Sequence, residues 1–241
     1  GTGKWPTYYA DSLPPICDIG PGSPVGAAFG YGAKFPAKYQ KAFFICDWTF
    51  GTMYAIHLTP QGGSYVGKKE EFVSRSPLPL TDVAVGLDGA LYFTIGGRGT
   101  DSEIYRVVYE GSDSTTPIKG NDSEHAADRN LRKLAEKSHL ENSNFEAAEL
   151  ISLLSHGDRY IRYAARVGIE RKPISDWLDL AMQIKDANGR IHAMLALARQ
   201  GDAENYDSFL NVMQAIDFGG LSKSEKLAYL RTLSVGFIRL S

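Results

Sequence analysis

The 241 residues include only two cysteines and no long apolar run. Neither Cys17 nor Cys46 has a second Cys or a His at metal-ligand spacing, and no CxxCH haem-attachment site occurs. A thiolate metal site is therefore disfavoured, and haem cannot be held covalently by these residues. The two thiols either pair in an oxidising compartment or stay separate and buried, as free cysteines often do. No apolar stretch approaches the ~18 residues that suggest a membrane span. GxSxG, P-loop, Rossmann and HExxH patterns are all missing, so hydrolase, nucleotide-dependent and zincin chemistries lack their signatures. Charge of one sign is lacking as well. The formal net charge is −2, with 10 basic and 11 acidic side chains in residues 1–120 and 16 and 17 after them. With no polyanion-binding face, the sequence argues against nucleic acid as a partner.

What is present divides sharply. Residues 1–120 hold 18 of the 25 Gly, 10 of the 11 Pro and 9 of the 13 Tyr, and the rest is rich in Ala, Leu, Arg and Glu. Gly and Pro punctuate turns between short strands, while Ala and Leu favour helix. The stretch 111–123 is small, polar and aperiodic, so it reads as a linker. The expected division is a β segment at 1–110, the linker at 111–123 and a helical segment at 124–241.

The front repeats itself. Strand-like runs fall at 25–30, 41–47, 52–58 and 64–73, then at 81–86, 90–95 and 102–109. Phe43-Phe44-Ile45 corresponds to Leu91-Tyr92-Phe93, and Met53-Tyr54-Ala55-Ile56 to Ile104-Tyr105-Arg106-Val107, an offset of about 50 residues. Antiparallel four-stranded units at that period are the mark of propeller blades, here about two. Asp88-Gly89 predicts a two-residue hairpin turn with positive φ at both positions.

The back predicts helices near 124–139, 144–155, 158–170, 174–185, 189–200, 203–215 and 223–239. Asp158 after Gly157 reads as an N-cap, Pro173 as a first-turn residue and Ser222 to Glu225 as a capping box. Asn188-Gly189 and Gly201-Asp202 read as breaks. Short helices with short joins predict stacked antiparallel pairs. Asp158 to Arg166 is similar to the inner helix of HEAT repeats, and Ile191 to Arg199 takes the equivalent place about 30 residues later. A HEAT-like α-helical solenoid is the expectation, and a non-repeating bundle the alternative.

The run from Pro21 to Tyr109 resembles the last part of the propeller in the planctomycete-type membrane-bound dehydrogenase-like proteins, relatives of quinoprotein glucose and sorbosone dehydrogenases. The matching stretches are Pro21 to Gly26, Phe35 to Tyr39, Cys46 to Gly51, Leu80 to Ala90, Tyr92 to Arg98 and Ile104 to Arg106. In that family the propeller precedes HEAT-like helices and then a c-type cytochrome domain, which this chain lacks. The resemblance implies an extracytoplasmic, periplasmic parent protein, membrane-associated, that oxidises a sugar or alcohol with pyrroloquinoline quinone (PQQ) and calcium. Electrons would pass to the cytochrome domain. The chain starts without Met and stops in a helix-like run, so it reads as a piece of that parent, inactive alone, with the remaining blades elsewhere. The rival expectation is a non-catalytic propeller and HEAT scaffold that binds proteins or glycans.

Four residues are candidates for cofactor binding. Arg98, in Gly96-Gly97-Arg98-Gly99 after an apolar strand, suits a quinone carboxylate; alternatively it bonds to carbonyls between blades. Asp47 and Trp48 end the equivalent strand, where Asp47 could bind a cation and Trp48 stack on a ring; alternatively they pack structurally. Asp82 begins a channel-lining strand, or else bonds to a neighbouring backbone. Asp88 is a turn residue. His57 lies too far from the channel to be a catalytic base, and none is identified. Arg159, Arg162, Arg166 and Arg171 form a basic helix edge beside Glu170. That edge is either a solvated or inter-repeat face, or a docking surface for an anionic partner.

Overall fold

The computed structural model describes residues 5–119, 123–140 and 144–241. Contacts divide the chain into two units: Ile16–Gln61 with Tyr65–Glu124, and Gly1–Pro15 with Gly62–Ser64 and His125–Ser241. Composition groups the first fifteen residues with the strands, but the contacts of residues 5–15 place them with the helices.

In the first unit, seven strands form two antiparallel meanders. β1 (Pro24–Phe29), β2 (Phe43–Asp47), β3 (Thr52–Gln61) and β4 (Ser64–Ser74) make one sheet in chain order. β5 (Leu80–Val85), β6 (Leu91–Gly97) and β7 (Thr100–Val107) make the other. A one-turn helix, α1 (Ala37–Gln40), lies between β1 and β2. The repeated motifs occupy the second and third strands of each sheet, so the internal repeat is one meander. Side chains alternate across a strand, which turns Leu91, Phe93 and Ile95 of β6 inward. They share one apolar core with Phe44 and Cys46 of β2 and with Met53 and Ala55 of β3. β1 lies against β5. The approach is close enough that a Cβ on Gly26 would overlap the backbone of Asp82.

The turn after β5 differs from the expected hairpin. Of Asp88 and Gly89, only Gly89 has positive φ (83°). Asp88 instead accepts the Ala90 N–H at 3.1 Å through its side chain. Gly86 N–H closes a wider loop on the Ala90 carbonyl at 2.9 Å. An Asx-type bond offers the chain this alternative without a left-handed Asp. The linker is also less free than its composition suggests. Gln40, only 1% exposed, donates to the Thr116 carbonyl and accepts from Ile118 N–H, each at 3.0 Å. Residues 120–122 of the linker lie outside the described residues.

The second unit is helical: α2 (Ala126–His139), α3 (Ala147–Leu153), α4 (Arg159–Ile169), α5 (Leu178–Met182), α6 (Ala187–Gln200), α7 (Tyr206–Gln214) and α8 (Lys223–Arg239). Single 3₁₀ turns precede α5 and α7. Helices α2, α4, α6 and α8 touch in succession, and α3, α5 and α7 pack on that row. Asp158 caps α4 by accepting from Tyr160 and Ile161 N–H, and the Ser222–Glu225 capping box forms in both directions. Asn188 and Gly189 do not break the chain, however. Asp186 caps α6, accepting from Gly189 N–H at 2.8 Å, so both residues sit in its first turn. Glycine is used there because Ser155 Oγ crowds the position of a Cβ. Every residue from Ile191 to Ala198 is buried, which makes α6 the centre of the unit. Each large apolar side chain buried this way contributes roughly 1.5–3 kcal/mol over exposure. No helix among the described residues is long and apolar enough to cross a membrane.

Candidate functional site

Of the four residues singled out in the strands, three have structural partners. Asp47 is fully buried, and its Oδ1 accepts from Ser23 N–H at 2.9 Å and Thr49 N–H at 3.0 Å. Its Oδ2 has no partner among the described residues and lies where a Gly22 Cβ would be. Trp48 Nε1 donates to the Gly96 carbonyl at 2.9 Å and ties the end of β2 to β6. Asp82, exposed on β5, accepts from Val83 N–H at 2.8 Å. Arg98 differs. It is exposed, has φ 52°, and makes no hydrogen bond among the described residues. Its guanidinium lies 5.0 Å from the Trp48 ring centroid. The structure thus brings Arg98 and Trp48 together, with Asp47 next in chain.

Cys17 and Cys46 are free thiols. Burial, with the Asp82 carboxylate adding to it, pushes the Cys46 thiol up to about 12, so it is no nucleophile at neutral pH. His57 faces Glu70 at 2.7 Å. The Tyr39 hydroxyl and the His57 ring, aided by Lys38, hold the Glu70 carboxyl down at about 2. No group of three or more His, Cys, Asp or Glu among the described residues could hold a metal ion.

A denser arrangement lies in the helical unit, where residues 6–12 form a strap across α4, α6 and α8. Arg159 of α4 donates to the Thr7, Tyr9 and Ser12 carbonyls at 2.8–3.1 Å. Arg231 of α8 takes both oxygens of Asp11, at 2.9 and 2.7 Å, and stacks over the Tyr9 ring at 4.1 Å. Arg199 of α6 reaches the same carboxylate at 3.7 Å and Glu170 at 3.0 Å. Glu170 also pairs with Arg166, whose side chain is buried. Five charges therefore alternate in sign from Arg166 through Glu170, Arg199 and Asp11 to Arg231. Arg171, the last of the basic edge, donates to the His139 carbonyl.

Beside the strap is a cavity of about 200 Å³ at the N-terminal ends of α4, α6 and α8. Arg162 reaches across it, and its Nε donates to His192 Nε2 at 3.1 Å. His192 is 4% exposed and its Nδ1 has no partner among the described residues. Burial first, then the charges of Arg162, Arg166 and Arg159, push its pKa down to about 3. The ring is therefore neutral at physiological pH.

Sequence reasoning found Arg159, Arg162 and Arg166 as a basic edge but missed Asp11, Arg199, Arg231 and His192. A signal was available for two of them. Arg166, Arg199 and Arg231 recur 33 and 32 residues apart, close to the helical repeat. No family model, curated protein or solved structure matches this chain.

Proposed function

We propose that the chain is a binding scaffold whose helical unit holds an extended peptide segment carrying an acidic residue beside an aromatic one. The strap carries this reading. Its backbone carbonyls are read by Arg159 and its single carboxylate by Arg231 and Arg199, as a bound peptide would be. The row α2, α4, α6, α8 with the other helices packed on it supports HEAT-like repeats. The two meanders meeting at β1 and β5 support neighbouring propeller blades. Together these favour the protein-binding scaffold over a catalyst. The test uses the full chain with Tyr9→Ala and Asp11→Lys, which vacates the groove. A labelled peptide of residues 6–15 should bind it saturably by fluorescence anisotropy, bind the unsubstituted chain far more weakly, and lose affinity when Arg231→Met is added. Absence of binding to the vacated chain sinks the reading.

A second reading rests on Arg98, whose exposed guanidinium has no hydrogen bond among the described residues and a Trp at its back. In an extracytoplasmic quinoprotein-like dehydrogenase acting on a sugar or alcohol, Arg98 would hold a carboxylate of PQQ, the group that accepts hydride when bound. Asp47 and Asp82 do not fit calcium as a site, since neither belongs to a group of three or more candidate ligands among the described residues. No base is identified, and no step is derived through the quinone. The check is dye reduction by the parent protein reconstituted with PQQ and calcium. No reduction with aldoses or alcohols ends this reading.

A further inference from the structure

We infer that the cavity at the N-terminal ends of α4, α6 and α8 binds a small organic carboxylate carrying its own amine or hydroxyl group. Arg159 and Arg162 of α4, Asn188 and His192 of α6, and Ser224 and Glu225 of α8 supply its polar lining. Tyr8 and Ala10 of the strap close one side. At about 200 Å³ it holds several heavy atoms, against the roughly 30 Å³ that one water takes in the liquid.

Donors dominate the lining. Arg162 uses Nε on His192 and Nη1 on the His156 and Gly157 carbonyls at 2.6 and 2.9 Å, which leaves Nη2 unused among the described residues. Because His192 Nε2 accepts from Arg162, the neutral ring carries its proton on Nδ1. That buried N–H finds no acceptor among the described residues, and a buried donor left unmet is costly. Three helix N-termini border the cavity, each already capped by a carboxylate (Asp158 on α4, Asp186 on α6, Glu225 on α8). The donors open to a ligand are therefore Arg162 Nη2 and His192 Nδ1. Donors of this kind match a carboxylate.

Glu225 narrows the choice. One of its oxygens accepts from Ser222 N–H at 2.8 Å as part of the α8 cap, and the Ser222 side chain also bonds to the carboxylate. A carboxylate in the wall repels a doubly charged phosphate and calls for a donor on the ligand. Leu227 and Ala228 supply an apolar wall for a short carbon chain. This inference stands independently of peptide binding, since its readout is the small molecule alone.

The experiment is thermal unfolding of the full chain titrated with L-lactate and L-alanine, with acetate and inorganic phosphate as controls. A saturable rise in Tm of roughly 5–10 °C at hundredfold excess over Kd is expected from lactate or alanine. Acetate, without the second donor, should need at least tenfold more. Arg162→Gln should abolish the response, but it also removes structural bonds. Asn188→Asp therefore serves as the second variant: an acidic residue is tolerated in the first turn of α6, yet it repels the ligand. Three outcomes would each overturn the inference. These are no saturable shift with either probe, an undiminished shift in Asn188→Asp, or an equal shift with phosphate.

Discussion

Arg231 grips Asp11 with both arms of its guanidinium, Nε 2.9 Å from Oδ1 and Nη2 2.7 Å from Oδ2, although 220 residues separate them in the chain. The Asp11 side chain is only 7% exposed. A carboxylate that far out of water persists only when its charge is met. Arg231 meets it in the bidentate form, the strongest available. Arg199 supports it from α6 and is itself balanced by Glu170. The strap is therefore fixed by an alternating line of charge that touches three helices, and by Tyr9 packed under Arg231.

Replacing Asp11 should release the strap. Asp11→Ala leaves Arg231 and Arg199 facing each other without a carboxylate, and a cost of about 2–4 kcal/mol is expected in urea unfolding. Chymotrypsin should then cut at Tyr8 and Tyr9 many times faster. Burial alone would raise the Asp11 carboxyl, but the hydrogen bonds and charge of Arg231, with Arg199 further off, overcome burial and hold it below its ordinary value. The contribution is thus fully present above the unfolded value near ~3.9. It is lost as pH falls through the lower folded value. An Asp11→Ala protein as stable and as protease-resistant as the original contradicts this account.

His192 predicts acid sensitivity over a different window. Its folded pKa of about 3 lies below the unfolded value near ~6.5. Between the two the unfolded chain binds one more proton, so stability falls as pH falls through that range and is unaffected by this group above it. The slope is about 1.4 kcal/mol per pH unit for one proton. His192→Gln keeps an acceptor for Arg162 and cannot titrate. Unfolding free energies at pH 4, 5, 6 and 7 should converge between the two proteins toward low pH, and parallel curves would count against the assignment.

Much of the fold was legible because it is local. The strands follow from short apolar runs bounded by Gly and Pro turns, such as Phe43 to Asp47 and Leu91 to Ile95, and the caps from Asp158 and from the Ser222–Glu225 pair, whose bonds span three residues or fewer. Asn188-Gly189 misled because a glycine was read as a stop, when its small size serves packing against Ser155. The site was mostly illegible for the opposite reason. Asp11 sits among Gly- and Pro-rich residues and its partners lie beyond residue 190, so nothing within its own window marks it as bound. His192 reads as one more core position of an Ala-rich helix. Only the structure shows the guanidinium beside it.

Gly26 tests how tightly the two sheets are pressed together. A Cβ there would overlap the backbone of Asp82, which cannot move aside as a flexible side chain would. Gly26→Ala should therefore force β1 and β5 apart and cost about 1–3 kcal/mol. Gly32, where a Cβ meets nothing, is no control, because its φ of 86° strains any side chain. Gly157→Ala is the better comparison, having neither a neighbour nor positive φ, and should be near neutral. Equal stability of the two variants by urea unfolding would show that the sheets tolerate separation.

Arg98 gives the sharpest test of whether the strands carry a ligand. It is the sole non-glycine with positive φ among the described residues, flanked by Gly96, Gly97 and Gly99, which all share that sign. A left-handed non-glycine residue costs about 1 kcal/mol. Its side chain does not offset that through any hydrogen bond among the described residues, only through the Trp48 ring 5.0 Å away. Arg98→Gly should thus stabilise the strand unit by up to about 1 kcal/mol. If Arg98 is held there to meet a carboxylate, the same substitution should weaken PQQ binding at least tenfold, the loss of one charge-assisted pair. Trp48→Phe separates the two effects. It gives up the Gly96 hydrogen bond at a cost of about 1 kcal/mol while leaving Arg98 its ring. Quinone affinity unchanged in Arg98→Gly would assign the residue to the loop alone, and a loss of stability in the same variant would show that the Trp48 contact outweighs the strained backbone.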